Sequence, residues 1–219
     1  MSDIKIMPTG VSPQAALLLE RAYALDSDEE SLALYRDWAE TYDETMLQGL
    51  NYLSPARVAD LLAAHLPNRD AVLLDIGCGT GLAGQGLASH GFGTIDGLDI
   101  SPEMMRVAAR RGLYRNFIAA DLNLPLAIAD ATYDGATCSG TFTHAHVGAG
   151  CLDELFRILK PGALFAFTVK LEVWESLGFK HKLAGLMQSG RVAQRALTHE
   201  NYYTTSPQPD GVFCVYARV

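Results

Sequence analysis

The chain has 219 residues, 49% of them hydrophobic, and a formal net charge of −8. That length fits one α/β domain with a helical appendage, and the composition is that of a soluble globular protein. The acidic balance argues against extended nucleic-acid binding, which needs a basic face. No signal-peptide pattern and no apolar run of about eighteen residues stands in the sequence, so a soluble, cytoplasmic protein away from the membrane is expected. Cys78, Cys138, Cys151 and Cys214 form no C-x-x-C pair and read as free thiols of a reducing compartment.

Residues 1–10 read as a tail. Ser12-Pro13 opens a first helix, with Ala15, Leu18, Leu19 and Ala22 as its apolar stripe. A second helix opens at Ser27, where Glu30 completes a capping box, and Tyr35, Trp38, Tyr42 and Met46 share one face. Ser54-Pro55 starts a third, with Val58, Leu61, Leu62 and Leu66 inward, and Pro67 stops it. Helices lie before this point, and strands alternate with helices after it. The expected division is therefore an N-terminal helical cap, residues 1–66, and a core, residues 67–219.

The core opens with an apolar run at 71–76 that holds one acid, Asp75, followed by Gly77-Cys78-Gly79-Thr80-Gly81 and a helical segment. This pattern is a buried strand, a tight turn of bare backbone and a helix N-terminus whose free N–H groups attract electron-rich atoms. The next strand, 94–99, ends in Asp99. Asp96-Gly97 has the composition of a hairpin turn, but a right-handed crossover requires a parallel strand here, and Gly97 then permits close approach of a neighbour. Ser101-Pro102 begins a helix that ends near Gly112. The third strand, 115–121, ends in Asp121. A Pro-containing loop leads to a fourth strand, 133–139, ending in Ser139 and placed beside the first. After the loop 140–146 come a helix at 149–159 and a fifth strand at 162–169, apolar on both faces. Residues 171–189 are helical with a break at Gly178, and 192–198 and 211–218 form an antiparallel pair at the sheet edge.

Two cofactors compete for the glycine turn. Gly79-Thr-Gly81-Leu-Ala-Gly84, with Asp99 about twenty residues on, satisfies the dinucleotide fingerprint. The stretch Asp75-Ile-Gly77-Cys-Gly79-Thr-Gly81 instead resembles the first motif of class I S-adenosylmethionine-dependent methyltransferases. An acid ending the first strand would repel a pyrophosphate and attract an ammonium or sulfonium, which favours the second reading. Leu159-Lys-Pro-Gly162 also resembles this family. The string Tyr35-Arg-Asp-Trp38-Ala-Glu-Thr-Tyr42-Asp43 resembles, within it, the methyltransferase-like proteins of the Williams–Beuren region type.

The resemblance implies a Rossmann-like, seven-stranded, mostly parallel sheet of order 3-2-1-4-5-7-6, with helices on both faces and an N-terminal helical lid. It implies S-adenosyl-L-methionine as cofactor, held by Tyr42, Asp75, Gly77, Cys78, Gly79, Asp99, Ile100, Asp121, Leu122 and Ser139. Asp99 would accept the ribose hydroxyls, Asp121 the adenine amino group, and Leu122 would pack on the ring. The reaction is methyl transfer to a small-molecule acceptor, with His144 or His146 as base where the acceptor holds its proton tightly. Tyr42 is expected at the methionine end and Trp38 in the acceptor wall. Cys138, His144, His146 and Cys151 are zinc-type ligands, but their spacing fits no common closed site, and no metal is expected. An NAD-dependent oxidoreductase and a non-catalytic S-adenosylmethionine-binding module are the alternatives.

Overall fold

A computed structural model describes residues 17, 18, 21, 28–143 and 147–219. The Ser12-Pro13 helix start and the Ser27 capping box lie outside the described residues. α1 (Asp28–Trp38) leads through a turn and a π-helical segment (Glu44–Gly49) to α2 (Ser54–His65). β1 (Val72–Ile76), α3 (Leu82–Ser89), β2 (Thr94–Asp99), α4 (Pro102–Ala109), β3 (Tyr114–Ala119) and β4 (Tyr133–Phe142) follow. A single 3-10 turn at Ala149–Cys151 then precedes α5 (Leu152–Ile158), β5 (Leu159–Lys170), α6 (Leu171–Trp174), α7 (Phe179–Gln188), β6 (Val192–Glu200) and β7 (Gly211–Arg218).

The seven strands form one sheet in the order β3-β2-β1-β4-β5-β7-β6. β1 to β5 run parallel, and β7 is antiparallel to both β5 and β6. β2 runs straight through Asp96-Gly97 as a parallel strand. A Cβ on Gly97 would lie 3.0 Å from the Cys78 sulfur and 3.1 Å from the Phe117 ring, so a side chain here would crowd both neighbours.

Side chains of the central strands alternate between two buried layers, as strand geometry dictates. On β7, Val212, Cys214 and Tyr216 join one layer with Phe142, Phe165, Phe167 and Phe179. Phe213, Val215 and Ala217 join the other, with Trp38, Met46, Tyr52, Val58 and Leu62 from the N-terminal helices. α2 packs so tightly on α3 that a Cβ on Gly86 would lie 2.7 Å from that of Ala59.

Two elements differ from the sequence expectation. α1 stops at Trp38 rather than carrying its stripe on to Met46. The chain goes on through a turn, in which the Thr41 N–H donates to the Trp38 carbonyl at 3.0 Å, into the π-helical segment that carries Met46. β4 continues past Ser139 to Phe142 across a register shift against β5 between Cys138 and Phe142. Gly140, at φ +75°, supplies the left-handed residue of this irregular stretch.

Asp75, 1% exposed near the end of β1, ties three strands together. The Tyr114 phenol of β3 donates to Oδ2 at 2.7 Å, and the Thr137 hydroxyl of β4 donates to Oδ1 at 2.9 Å. A Cβ on Gly84 of α3 would sit 2.2 Å from the Tyr114 oxygen, so glycine there admits the phenol. Burial pushes the Asp75 carboxyl up from 3.8 to about 6 despite these donors. The folded protein therefore holds this proton more tightly than the unfolded chain does. The resulting stabilisation is greatest below about pH 4 and is lost as pH rises through 6, a total of roughly 3 kcal/mol. Urea unfolding of wild type and Asp75→Asn at pH 4.5 and 7.5 should show the stability difference moving in favour of the variant by roughly 2 kcal/mol at the higher pH. A difference that does not move would remove Asp75 as a buried, titrating acid.

Candidate functional site

In open parallel sheets, ligands bind at the carboxyl ends of the strands, and the loops following β1 to β4 border one cavity there. Its floor is the glycine turn. Gly77, Gly79 and Gly81 have φ of +63°, +51° and +91°, a region costly to residues with a Cβ. A Cβ on Gly77 would lie 2.0 Å from the Thr141 hydroxyl oxygen, so the turn presses on the irregular end of β4. A Cβ on Gly79 would meet nothing within 4 Å. Both glycines line the cavity and present bare backbone to it.

Asp99, at the end of β2, closes one side. Its Oδ2 accepts the Gly79 N–H and its Oδ1 the Ser101 N–H, both at 2.8 Å. Burial pushes its carboxyl above the usual range, against the opposing pull of the Ser101, Gly79 and Ile100 N–H groups. Asp121 lies beyond the end of β3, and its Oδ1 accepts the Asn123 N–H at 2.8 Å. Asp121 and Leu122 line the cavity together with Leu98, Met104, Ala120 and the half-exposed Ile100. Ser139, Gly140, Thr141, Thr143 and Val147 form the wall contributed by β4 and the segment after it. Behind them stands Tyr52, whose phenol oxygen would be 2.3 Å from a Cβ on Gly140.

The N-terminal segment contributes Tyr35 and Tyr42. Trp38, expected in this wall, is 3% exposed and does not line the cavity. Its ring lies 6.2 Å from that of Tyr35, nearly parallel, and 4.9 Å from that of Tyr42, edge-on. Its indole N–H donates to the Thr45 hydroxyl at 3.2 Å. Because α1 ends at Trp38, Tyr42 folds back over the indole, and the two tyrosines face the cavity with Trp38 as their backing.

Two further expectations need correction. Asp75 does not line the cavity: it is 1% exposed within the sheet, where its oxygens accept from Tyr114 and Thr137. Cys78 turns away as well. Its N–H donates to the Leu98 carbonyl at 2.9 Å, its sulfur packs against Gly97, and burial pushes its thiol far up. His144 and His146 lie outside the described residues, and the zinc-type cluster that includes them is not described as a whole. Tyr35 was visible in the sequence as part of the aromatic stripe. Thr141 and Thr143 had only their place after the fourth strand to mark them. The described residues lining the cavity include two carboxylates, Asp99 and Asp121, and no lysine or arginine.

The family model for the methyltransferase domain matches residues 74–167. Human methyltransferase-like protein 27 is 30% identical over 164 residues, which cover 74% of this chain and 66% of that protein. A ubiquinone biosynthesis O-methyltransferase of Xylella fastidiosa is 34% identical over 128 residues, covering 55% of this chain and 50% of the relative. The chain thus spans between half and two thirds of the length of these curated relatives. The fold is also that of a TehB-like S-adenosylmethionine-dependent methyltransferase from Corynebacterium glutamicum, with a TM-score of 0.61 at 18% identity over 85% of this chain and 99% of that one. With the strand order, the glycine turn and the strand-end acids, these matches place the chain in the class I S-adenosylmethionine-dependent methyltransferase family, whose cofactor is S-adenosyl-L-methionine.

Proposed function

We propose that the cavity holds S-adenosylmethionine and that the chain catalyses methyl transfer to a small-molecule acceptor. The observation that carries this reading is the bare backbone of Gly77 and Gly79, set between the Asp99 carboxylate and the Tyr42 ring in one cavity. Asp99 keeps lone-pair capacity for the ribose hydroxyls beside the Gly79 and Ser101 N–H groups it accepts. Asp121 takes the adenine amino group, and Leu122 packs on the ring. Tyr42 covers the methionine end, where an aromatic face attracts a cation.

When bound, the cofactor supplies a methyl group on a sulfonium whose leaving group is a neutral thioether. The protein's work is then mainly to position the acceptor and keep water out. Tyr35 and Tyr42, backed by Trp38, do this from the cap, residues 1–66, while Ser139, Thr141 and Thr143 do it from the core. His144 or His146 serves as base for an acceptor that holds its proton tightly. The ubiquinone-pathway relative supports a small organic acceptor. A lining with two carboxylates and no described cation favours a neutral or cationic acceptor over an acidic one.

Against NAD stands the lack, among the described lining residues, of any lysine or arginine to offset its pyrophosphate; Asp99 itself suits the ribose of either cofactor. Four buried, free cysteines fit a cytoplasmic setting.

Calorimetric titration should show binding of S-adenosylmethionine and S-adenosylhomocysteine and none of NAD; the reverse order of affinity would sink the proposal. Asp99→Ala should weaken S-adenosylhomocysteine binding by roughly 1–3 kcal/mol, because buried hydroxyls lose a charged acceptor. Unchanged affinity would take Asp99 out of the site. Tyr42→Ala should weaken S-adenosylmethionine binding by about 1–2 kcal/mol, with Tyr42→Phe restoring most of the loss because the ring is kept. Equal affinities in wild type and both variants would leave Tyr42 as packing only.

A further inference from the structure

Outside the cavity, three side chains from three separate segments converge on the glycine turn. Asp43 immediately follows Tyr42. Thr80, 1% exposed, stands between Gly79 and Gly81. Arg111 comes from the end of the α4 region. None of the three lines the cavity. The Thr80 hydroxyl donates to Oδ1 of Asp43, and the Arg111 guanidinium donates to Oδ2 of the same carboxylate. Arg111 Nε donates to the Thr80 carbonyl at 2.6 Å, and its remaining arm donates to the Gln85 side chain of α3 at 2.8 Å. Both Asp43 oxygens and all three nitrogens of the Arg111 fork are therefore committed. The arginine stem crosses the turn so closely that a Cβ on Gly81 would lie 3.0 Å from its Cδ.

The neighbouring pair Arg110–Glu40 also joins α4 to the cap, but its side chains are 58% and 61% exposed, and solvent-exposed pairs contribute little. Asp43 and Arg111 are 33% and 21% exposed and enclose a buried threonine. The planar guanidinium donates in three directions, to Asp43, the Thr80 carbonyl and Gln85, which lysine could not reproduce in place of arginine.

We infer that Asp43, Thr80 and Arg111 are positioning residues: a latch that fixes the Tyr42 segment of the cap to the cofactor turn. The inference rests on the cavity being an S-adenosylmethionine site. Fixing the Asp43 carboxylate leaves Tyr42, the preceding residue, little freedom to swing away from Gly77 and Gly79. The latch therefore controls the methionine end of the ligand. The adenosine end, formed by Asp99, Asp121 and Leu122 at the ends of β2 and β3, does not depend on it.

The test compares two probes, S-adenosylhomocysteine and adenosine, by calorimetry, with adenosine read by displacement where its binding is weak. Asp43→Asn and Thr80→Val should each lower S-adenosylhomocysteine affinity about tenfold while leaving adenosine affinity within about twofold. Thr80→Ser, which keeps the hydroxyl, should behave as wild type. The Asp43→Asn/Thr80→Val double variant should bind no more weakly than the worse single variant, since both remove one unit. Equal losses for the two probes, additive losses in the double variant, or unchanged S-adenosylhomocysteine binding would each overturn the latch. Thermal melting without ligand checks that the variants fold, and the Thr80→Ser/Thr80→Val pair carries the test if Asp43→Asn does not. Wild-type protein that binds no S-adenosylhomocysteine would instead overturn the cofactor reading.

Discussion

Between β1 and α3 the backbone turns through three left-handed residues within five positions, Gly77, Gly79 and Gly81. Any side chain at these positions would bring backbone strain, and at Gly77 also a collision with Thr141. The cavity depends on that turn because it exposes peptide groups where side chains would otherwise stand. A bare turn is also soft, since glycine loses the most conformational freedom on folding. Its surroundings offset that softness. Asp99 accepts the Gly79 N–H on the cavity side, and Thr80 and Arg111 connect the turn to Asp43 on the outside. The same groups that shape the floor thus also tie it to the segment that carries Tyr42 and Asp43.

The three acids near the strand ends divide into two kinds. Asp99 and Asp121 face the cavity. Asp75 faces the sheet interior, where it is a hydrogen-bond acceptor for β3 and β4. A buried carboxylate is expensive, and burial pushes the Asp75 carboxyl up accordingly. What it secures is a fixed geometry where β1, β3, β4 and α3 meet, directly beneath the start of the turn. Its placement also changes the argument about the ligand. The acid of the glycine motif does not line the cavity, and an acid at the end of β2 suits the ribose of either cofactor, so neither charge chooses between them.

Much of this was legible in the chain. The parallel passage of β2 through Asp96-Gly97, the antiparallel β6–β7 edge and the helix break at Gly178 follow from apolar runs, glycine placement and crossover handedness, whereas the strand order comes from the family resemblance. What escaped depended on contacts distant in sequence or on local backbone irregularity. Helical spacing alone put Tyr35, Trp38 and Tyr42 on one face. It could not show that the regular helix ends at Trp38 and that Trp38 backs the two tyrosines instead of lining the cavity. The irregularity at Gly140 looks in sequence like the end of a strand. Arg111 carries no motif at all. Its role arises only when α4 docks beside the turn and brings it to Thr80 and Asp43, 31 and 68 residues away.

The account stands most directly on where the cofactor lies. A crystal structure of the protein grown with S-adenosylhomocysteine should show adenine against Leu122 and Asp121. It should show the ribose hydroxyls on Asp99, and the thioether between Tyr42 and the Ser139–Thr141 stretch, over Gly77 and Gly79. Electron density for the ligand outside this cavity, or within it but with Tyr42 out of contact, would contradict the account.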